Sequence, residues 1–378
     1  AYEMTSSLVC SEMCIRDRVT TMIHNKKVQV FLGVLLLVVV LAAMYFGLHA
    51  LDRRDTGNTD DEEDDYAYVS GDNEIIFDGK IYKLDHNVKN YLIMGTDASG
   101  NEDAKGEAYQ GSMADFLMLM MIDETDKKYG FMPLNRDTVT DIQMIDHNGD
   151  LMDYRKLYLC TAHWYGGSKR QSCINTADAV SDFLHGVPVN GYLAIPMDHI
   201  SDLNHVLGGV TVTLEDDFSK EDPAMTAGTT LTLTDEQAAI FLRGRMEVGD
   251  GENTSRMRRQ KAYLQAAISQ IQLQSSEDAK FMAKAYQQIM EYATSDMNMN
   301  AITKLGQHLD EYESLGFVEI AGETKLGYDR LEDGKEHAEF FADEQSLKDA
   351  VFKLFPLKDT GEREEDASDE STDSSDSE

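Results

Sequence analysis

The segment that most restricts what this chain can form is the apolar run from Val28 to Leu48, near its start. It holds no charged residue, and about 20 such residues span the hydrocarbon core of a bilayer as one helix. A secretory signal would have a shorter apolar region that ends in a small-residue cleavage site. We therefore predict one transmembrane helix over residues 28–50, with the folded part of the chain on one side of a membrane.

Basic residues flank this run on both sides, so the charge distribution alone does not fix its orientation. The long hydrophilic part that follows favours a cytoplasmic N-terminus, residues 1–27, and a domain outside the cytoplasm. Residues 1–18 resemble a translated sequencing adapter, which places the native start near Met22. They are left out of the fold prediction.

The chain is strongly acidic, with a formal net charge of -35 over 378 residues. Two acidic stretches carry much of that charge, a linker over residues 51–70 and a tail over residues 359–378, and both are predicted to be disordered because they hold little to bury. So acidic a protein repels a phosphate backbone, which argues against nucleic acid as a partner. Residues 71–358 remain as the folded domain.

Strand and helix patterns alternate along this domain, which predicts an α/β fold with a layered sheet. Strands are expected at 91–94, 116–122, 129–134 and 209–214, and a hairpin at 74–83. Helices are expected at 173–184, 197–207, 234–243, 256–271, 277–292, 301–312 and 345–355. Ligands of such sheets bind where strands end, and both Asp97 and Arg136 follow predicted strands. Alone, Asp97 also fits a simple turn residue.

A cluster of arginines lies within eighteen positions of this acidic chain. Its members are Arg243, Arg245, Arg256, Arg258 and Arg259, followed by Gln260. Guanidinium groups bind phosphate oxygens in pairs. The helix predicted from Arg256, with Ser255 as its cap, adds free N–H groups at the same place. The pattern indicates a site for a phosphate-rich ligand; the alternative is a solvated basic turn that pairs with the many acids.

Two cysteines, Cys160 and Cys173, remain once the adapter-like segment is removed. An even pair outside the cytoplasm is compatible with a disulfide, which would stabilise the fold by about 3 kcal/mol. Two thiols are too few for a typical metal site.

Six motifs in fixed order resemble the LytR–CpsA–Psr family, which comprises membrane-anchored enzymes of Gram-positive bacteria and their relatives. They are Asn90-Tyr-Leu-Ile-Met-Gly-Thr-Asp97, Ala114-Asp115 before an apolar strand, Pro133-Leu-Asn-Arg136-Asp137-Thr138, Ala162-His-Trp-Tyr-Gly-Gly167, Leu207-Gly-Gly-Val210, and Arg243-x-Arg245 with Arg256-x-x-Arg259-Gln260. The resemblance covers about residues 90–271. We interpret His163 and Trp164 as loop packing and leave them out of the site.

The resemblance implies a layered α-β-α domain with a central mixed sheet. It also implies transfer of a glycopolymer, teichoic-acid-like or capsular, from a polyprenyl pyrophosphate carrier to a peptidoglycan sugar hydroxyl. By the family pattern, Asp97 and Asp115 hold Mg²⁺. The pyrophosphate contacts fall on Arg136, Arg243, Arg245, Arg256, Arg259 and Gln260. Asp137 is a candidate proton acceptor, although pairing with an arginine is the simpler interpretation.

Two alternatives stay open, a hydrolase acting on the same carrier and a non-catalytic envelope sensor or transcriptional attenuator. The chain also departs from the family pattern at two positions. Met113 stands where the family has an arginine, and Asn253 where it has an aspartate. Asp250 lies close enough in the chain to substitute for the latter.

Overall fold

The computed structural model describes residues 74–244, 253–277, 288–289, 291–296 and 312–362. The predicted cytoplasmic segment, the membrane helix at 28–50, the acidic linker, Arg245 and residues 363–378 of the tail lie outside the described residues. Most of the helices expected at 277–292 and 301–312 lie outside them too. Among the described helices, none is long and apolar enough to cross a membrane.

A mixed six-stranded sheet forms the centre of the domain. In spatial order its strands are β11 (Thr294–Ser295), β8 (Gly191–Pro196), β3 (Val88–Thr96), β4 (Ala114–Asp123), β5 (Lys128–Leu134) and β12 (Glu313–Phe317). The pairs β8–β3 and β5–β12 are parallel, and the other neighbours are antiparallel. The apolar runs that predicted β3, β4 and β5 are confirmed as the three central, mostly buried strands.

Helices cover both faces of this sheet, as the α-β-α prediction requires. One layer holds α1 (Lys169–Phe183) and α5 (Glu344–Leu354); the other holds α2 (Ile200–Val206), α3 (Asp235–Arg243) and α4 (Asn253–Glu277). Side chains of a strand point alternately to the two faces. In β4, Leu117 and Leu119 therefore join one hydrophobic core, while Met118 and Met120 join the other.

Side-chain caps decide where the helices begin. The N-terminus of α1 is capped by Ser168, whose Oγ accepts from the N–H of Gln171, so the helix starts four residues before the predicted Cys173. Thr234 and Gln237 form the predicted capping box of α3. The predicted cap of α4 is wrong: that helix begins at Asn253, which places Ser255 inside its first turn.

Four small antiparallel sheets surround the core. They are β1 (Glu74–Phe77), β2 (Lys80–Lys83) and β15 (Lys358–Glu362); β6 (Val139–Ile145) and β7 (Leu151–Tyr158); β9 (Thr211–Thr213) and β10 (Thr230–Thr232); β13 (Gly322–Tyr328) and β14 (Glu336–Ala342). The predicted hairpin at 74–83 is confirmed, and both residues of its Asp78-Gly79 turn have positive φ angles. The strand expected at 209–214 is shorter, three residues.

Candidate active site

Asp115 forms the centre of the candidate site, at the start of β4. The guanidinium of Arg136, from the turn after β5, contacts Asp115 Oδ1. The guanidinium of Arg256, from the first turn of α4, lies 3.4 Å from Asp115 Oδ2 and donates to the Asp115 backbone carbonyl at 3.3 Å. The Arg256 side chain is 4% exposed. Three segments far apart in sequence therefore meet at one carboxylate.

Arg136 is held on its other side by Asp137. Arg136 Nε donates to Asp137 Oδ1 at 2.9 Å, and the Asp137 side chain is buried. Burial lowers the pKa of Arg136, but Cys160 and Asp137 raise it by more, so the net shift is upward and the guanidinium stays charged. This geometry matches the simpler interpretation of Asp137, pairing with an arginine; its role as a proton acceptor stays a prediction.

Asp97 is the residue that follows β3, and β3 is the strand that pairs with β4. Its Oδ1 accepts from the Ser99 N–H at 3.0 Å, the Ser99 hydroxyl at 2.7 Å and the Met113 N–H at 2.9 Å. The Asp97 N–H donates to the Met113 carbonyl at 2.9 Å. Asp97 is thus a turn residue, and the same bonds hold it at the sheet edge where β4 begins.

Gln260 follows Arg256 by one helical turn and lies on the same side of α4. It helps to line a small cavity together with Asp115, Arg136 and the apolar side chains of Phe116, Leu117, Met118, Pro133, Leu134 and Met257. Its buried amide nitrogen has no hydrogen-bond partner among the residues that the structure describes. A buried donor left unpaired costs about 1–3 kcal/mol. A ligand oxygen in this cavity would satisfy it.

Arg259 is committed to the protein rather than to this site. Its Nε donates to the Phe241 carbonyl at 3.0 Å, its Nη1 lies 2.9 Å from Asp216 Oδ2, and its Nη2 contacts the Gly244 carbonyl. The guanidinium also lies 5.5 Å from the centre of the Phe218 ring. This arrangement joins the end of α3 to α4, and the predicted contact of Arg259 with pyrophosphate stays a prediction.

Arg243 ends α3 and is not drawn into the cluster. Its side chain is 47% exposed and pairs with Asp198 at 2.8 Å. Exposed ion pairs contribute little to stability, so this contact can be exchanged for a ligand. The roles predicted for Arg243 and Arg245 stay predictions. The structure brings together Asp97, Asp115, Arg136, Asp137, Arg256 and Gln260.

Met113, the first departure from the family pattern, contacts the site directly. Its Sδ lies 3.6 Å from Arg136 Nη2. A neutral thioether therefore lies beside Arg136, at the position where the resemblance implies an arginine. The second departure, Asn253, is the first residue of α4, and its side chain lies outside the described ones.

Cys160 and Cys173 are both buried and both free, which contradicts the predicted disulfide. Cys160 lies in the turn after β7, where its N–H donates to the Arg136 carbonyl at 3.1 Å. Cys173, in α1, is directed to His163 instead, with 3.6 Å between its Sγ and His163 Nε2. Burial raises the pKa of both thiols.

Two residues that the sequence analysis did not include in the site, Glu102 and His163, bind the backbone of Ser112. Glu102 Oε1 accepts from the Ser112 N–H at 3.1 Å, and His163 Nδ1 lies 2.9 Å from the Ser112 carbonyl oxygen. Ser112 immediately precedes Met113. The only sequence signal was indirect: His163 belongs to one of the six matched motifs, where it was interpreted as loop packing.

Six motif residues from four separate parts of the sequence therefore lie together in space: Asp97, Asp115, Arg136, Asp137, Arg256 and Gln260. The profile of the LytR_cpsA_psr family matches residues 54–352. The chain belongs to this family. Biofilm regulatory protein A of Streptococcus mutans serotype c is 25% identical over 272 residues, which is 68% of this chain and 61% of that protein. The polyisoprenyl-teichoic acid–peptidoglycan teichoic acid transferase TagU of Bacillus cereus is 27% identical over 177 residues, 47% of this chain and 50% of TagU.

Solved structures of similar fold support the architecture. The superposition on TagV of B. subtilis has a TM-score of 0.53 at 19% identity, and it covers 72% of this chain and 97% of the TagV chain. The superposition on protein gbs0355 of Streptococcus agalactiae has a TM-score of 0.55 at 18% identity, and it covers 73% of this chain and 92% of the gbs0355 chain. These likenesses establish a mixed α/β fold of the LytR–CpsA–Psr type with a central mixed sheet.

Proposed function

We propose that this protein is a phosphotransferase that moves a glycopolymer, teichoic-acid-like or capsular, from a polyprenyl pyrophosphate carrier to a sugar hydroxyl of peptidoglycan. The observation that carries the proposal is the convergence of two arginines, the largely enclosed Arg136 and the buried Arg256, on Asp115 at the edge of the sheet. Relatives that carry the name of teichoic acid–peptidoglycan transferase support the substrate class.

Phosphoryl transfer depends mainly on positioning and on stabilisation of the negative charge of the transition state. Arg136 and Arg256 would bind phosphate oxygens, and the amide of Gln260 would donate to another. Each bond to a charged group contributes about 1.5–3 kcal/mol. The acceptor hydroxyl oxygen forms the new bond to phosphorus, and the bond to the carrier phosphate breaks. The hydroxyl proton passes to a carboxylate, for which Asp137 remains the candidate.

The charges of the site fit a divalent cation. Asp97, Asp115 and Asp137 place three carboxylates around the guanidiniums of Arg136 and Arg256, so these residues alone do not favour a pyrophosphate. A Mg²⁺ ion bound by Asp97 and Asp115 would reverse that balance and supply Lewis-acid charge at the phosphates. No group of three or more His, Cys, Asp or Glu side chains suited to a metal occurs among the described residues. One or two carboxylates with water and substrate phosphates is the usual Mg²⁺ pattern.

We further propose that the chain is a single-pass membrane protein with this domain outside the cytoplasm, where carrier and peptidoglycan meet. The apolar run at 28–48 supports this location. A hydrolase would use the same site with water as acceptor. A non-catalytic regulator would bind the carrier without turnover. The name of the Streptococcus mutans relative, a biofilm regulatory protein, supports the regulator as an alternative.

The test incubates the full chain in detergent with a short-chain polyprenyl pyrophosphate glycan and a peptidoglycan oligomer, with Mg²⁺ or with chelator. Mass spectrometry follows the products. A Mg²⁺-dependent phosphodiester conjugate supports the transferase, release of lipid without conjugate supports the hydrolase, and tight binding without turnover supports the regulator.

Variants connect the outcome to the site. Asp97→Ala and Arg136→Ala should each lower turnover at least 100-fold, because each removes a charge that the transition state requires. Arg155→Ala is the matched control. Arg155 is an exposed arginine of β7, and it pairs with Glu332. Turnover at the parent rate by either site variant would show that the assigned site is wrong.

A further inference from the structure

The loop between β3 and β4, residues 97–113, is folded against the segment Ala162–Gly167. Two main-chain bonds join them: the Gly111 N–H donates to the Trp164 carbonyl at 3.3 Å, and the Gly106 N–H donates to the Gly167 carbonyl at 3.2 Å. The Tyr109 hydroxyl lies 2.9 Å from Ser172 Oγ. A Cβ atom at Gly111 would overlap the His163 carbonyl oxygen. The loop that carries the first carboxylate is therefore docked on a second, buried segment.

Ser112 is the point where this docking reaches the site. Both of its backbone groups are taken by side chains: Glu102 Oε1 accepts its N–H at 3.1 Å, and His163 Nδ1 donates to its carbonyl at 2.9 Å. Glu102 Oε1 also lies 3.7 Å from His163 Nδ1, and its Oε2 lies 3.8 Å from Lys169 Nζ. We call Glu102 and His163 the Ser112 clamp.

The protonation of the clamp is set by its surroundings. Burial lowers the pKa of His163, so the imidazole is neutral and carries its single proton on the nitrogen that donates, Nδ1. Nε2 is then an acceptor, and the thiol of Cys173, whose own pKa burial raises, donates to it across 3.6 Å. The ring is thus held on both nitrogens in one tautomer.

A shift of Ser112 would move the site residues, because one peptide bond joins Ser112 to Met113. The next residue, Met113, donates its N–H to Asp97 Oδ1 and accepts from the Asp97 N–H at its carbonyl, each at 2.9 Å, and its Sδ contacts Arg136. Asp115 follows two residues later. The β3–β4 ladder ends at the pair of Thr96 with Ala114, so the bonds between Asp97 and Met113 continue the pairing of the two strands beside both aspartates.

We propose that Glu102 and His163 are positioning residues, which fix Asp97 and Asp115 by clamping the backbone of Ser112. The inference rests on the proposed function for its catalytic consequence, but the clamp itself is a property of the fold. Neither residue contacts the cavity beside Arg136 and Gln260. Both line a separate small cavity with Thr96 and Lys169, and their hydrogen bonds toward the site residues run through Ser112.

The test uses the full chain in detergent and four variants. His163→Phe keeps the ring volume and removes the donor, whereas His163→Asn places an amide N–H where Nδ1 stood. Glu102→Ala removes the acceptor. Glu107→Ala is the matched control, an exposed acid in the same loop. The readouts are kcat and KM for the carrier, and amide hydrogen exchange of peptides that cover residues 97–115 and α5.

We expect His163→Phe and Glu102→Ala to lower kcat about tenfold or more, the effect of misplacing one charge-stabilising group. KM for the carrier should stay within about twofold of the parent value, because the arginines are retained. Exchange over residues 97–115 should accelerate about tenfold, with no change in α5. His163→Asn should recover at least a third of the parent kcat, and Glu107→Ala should match the parent.

Three outcomes would overturn the proposal: unchanged exchange over residues 97–115, faster exchange with unchanged kcat, or equal acceleration in α5, which would indicate general damage to the core. Failure of the proposed function looks different. If the parent itself shows no turnover, exchange still tests the clamp, and the Kd for Mg²⁺ in the presence of inorganic pyrophosphate, which depends on the placement of Asp97 and Asp115, replaces kcat as the second readout. An unchanged Kd in His163→Phe would then count against the positioning role.

Discussion

Met113 adds no positive charge to the cluster around Arg136. Its thioether lies beside Arg136, where three carboxylates surround two largely enclosed guanidiniums. Met113→Arg should therefore strengthen binding of inorganic pyrophosphate about tenfold, since one added charge-assisted bond is worth roughly 1.5–3 kcal/mol. The gain should be largest in chelator, where no cation offsets the carboxylates.

Isothermal titration calorimetry with and without Mg²⁺ measures this effect. Met113→Leu is the control, because it keeps the apolar volume and adds no charge. Equal affinities for the arginine and leucine variants would show that residue 113 does not face the phosphates.

Cys160 should make the stability of the protein depend on alkaline pH. Burial raises its pKa from 9.0 to about 11 in the folded state. Between these values the folded protein holds a proton that the unfolded chain has lost, so the free energy of unfolding falls as the pH rises from 9 to 11. The full loss is about 3 kcal/mol.

Urea unfolding at pH 8, 9 and 10 of the parent and of Cys160→Ala measures this contribution. The free energy of unfolding should fall more steeply with rising pH in the parent than in Cys160→Ala, because all other groups titrate in both proteins. Parallel slopes would mean that the thiol is less buried than the structure shows.

Individual site residues differ in how far the sequence could predict them. Asp97, Asp115, Arg136 and Arg256 were predicted because each stands at a fixed place in an ordered motif. Arg259 stands in the same motif, yet its guanidinium binds the carbonyls of Phe241 and Gly244. Only the path of the chain after α3 decides that, and no local pattern encodes it. Glu102 was missed because its partner is a backbone N–H ten residues away.

At the scale of elements, Arg259 joins α3 to α4. Arg259→Met keeps the apolar stem but leaves Asp216, whose side chain is only 8% exposed, without its buried partner. Removal of one member of a buried ion pair costs about 3–5 kcal/mol. We expect Arg259→Met to lower the free energy of unfolding by about 3 kcal/mol while the folded protein keeps its pyrophosphate affinity.

Urea unfolding and calorimetry separate the two effects. Arg258→Met is the matched control, because Arg258 is 47% exposed and its pairs with Glu215 and Asp216 should contribute less than about 1 kcal/mol. A loss of pyrophosphate affinity in Arg259→Met without a loss of stability would instead support the predicted contact of Arg259 with pyrophosphate.

The elements that the sequence predicted are those with a single dominant signal. Continuous apolar runs predicted β3, β4 and β5, and the capping box predicted the start of α3. The ribbons β6–β7 and β13–β14 were missed because long parts of β7 and β13 are exposed on both sides and carry no alternating pattern. Their pairing is determined by contacts with a partner strand, such as the bridge between Thr138 and Phe340.

For the whole molecule, the three-stranded sheet of β1, β2 and β15 joins the beginning and the end of the described domain. Lys358 of β15 also pairs with Asp85 at 3.1 Å. Removal of residues 358–378 should lower the free energy of unfolding by about 1–2 kcal/mol, because it leaves an unpaired edge on β2. Removal of residues 363–378 alone should leave Tm unchanged, since that stretch is nearly all charged and small polar residues.

Thermal unfolding of the two truncated proteins beside the parent measures the contribution of β15. The shorter deletion is the control for loss of negative charge. Equal Tm values for both truncations would mean that β15 adds nothing to the domain.

The same sheet has a consequence for chain connectivity. Glu74 pairs with Lys83, and Lys83 pairs with Lys358, so the first and last strands are separated by one strand, about 10 Å. Glu362 pairs with Lys80 at the opposite end of β2, so β1 and β15 run parallel, and a loop that joins residue 362 to residue 74 must cross over β2. Such a crossover takes about a dozen residues. A circular permutant with a glycine–serine loop of that length could be reopened in an exposed turn such as the one between β13 and β14, and its original ends would then be tied together covalently.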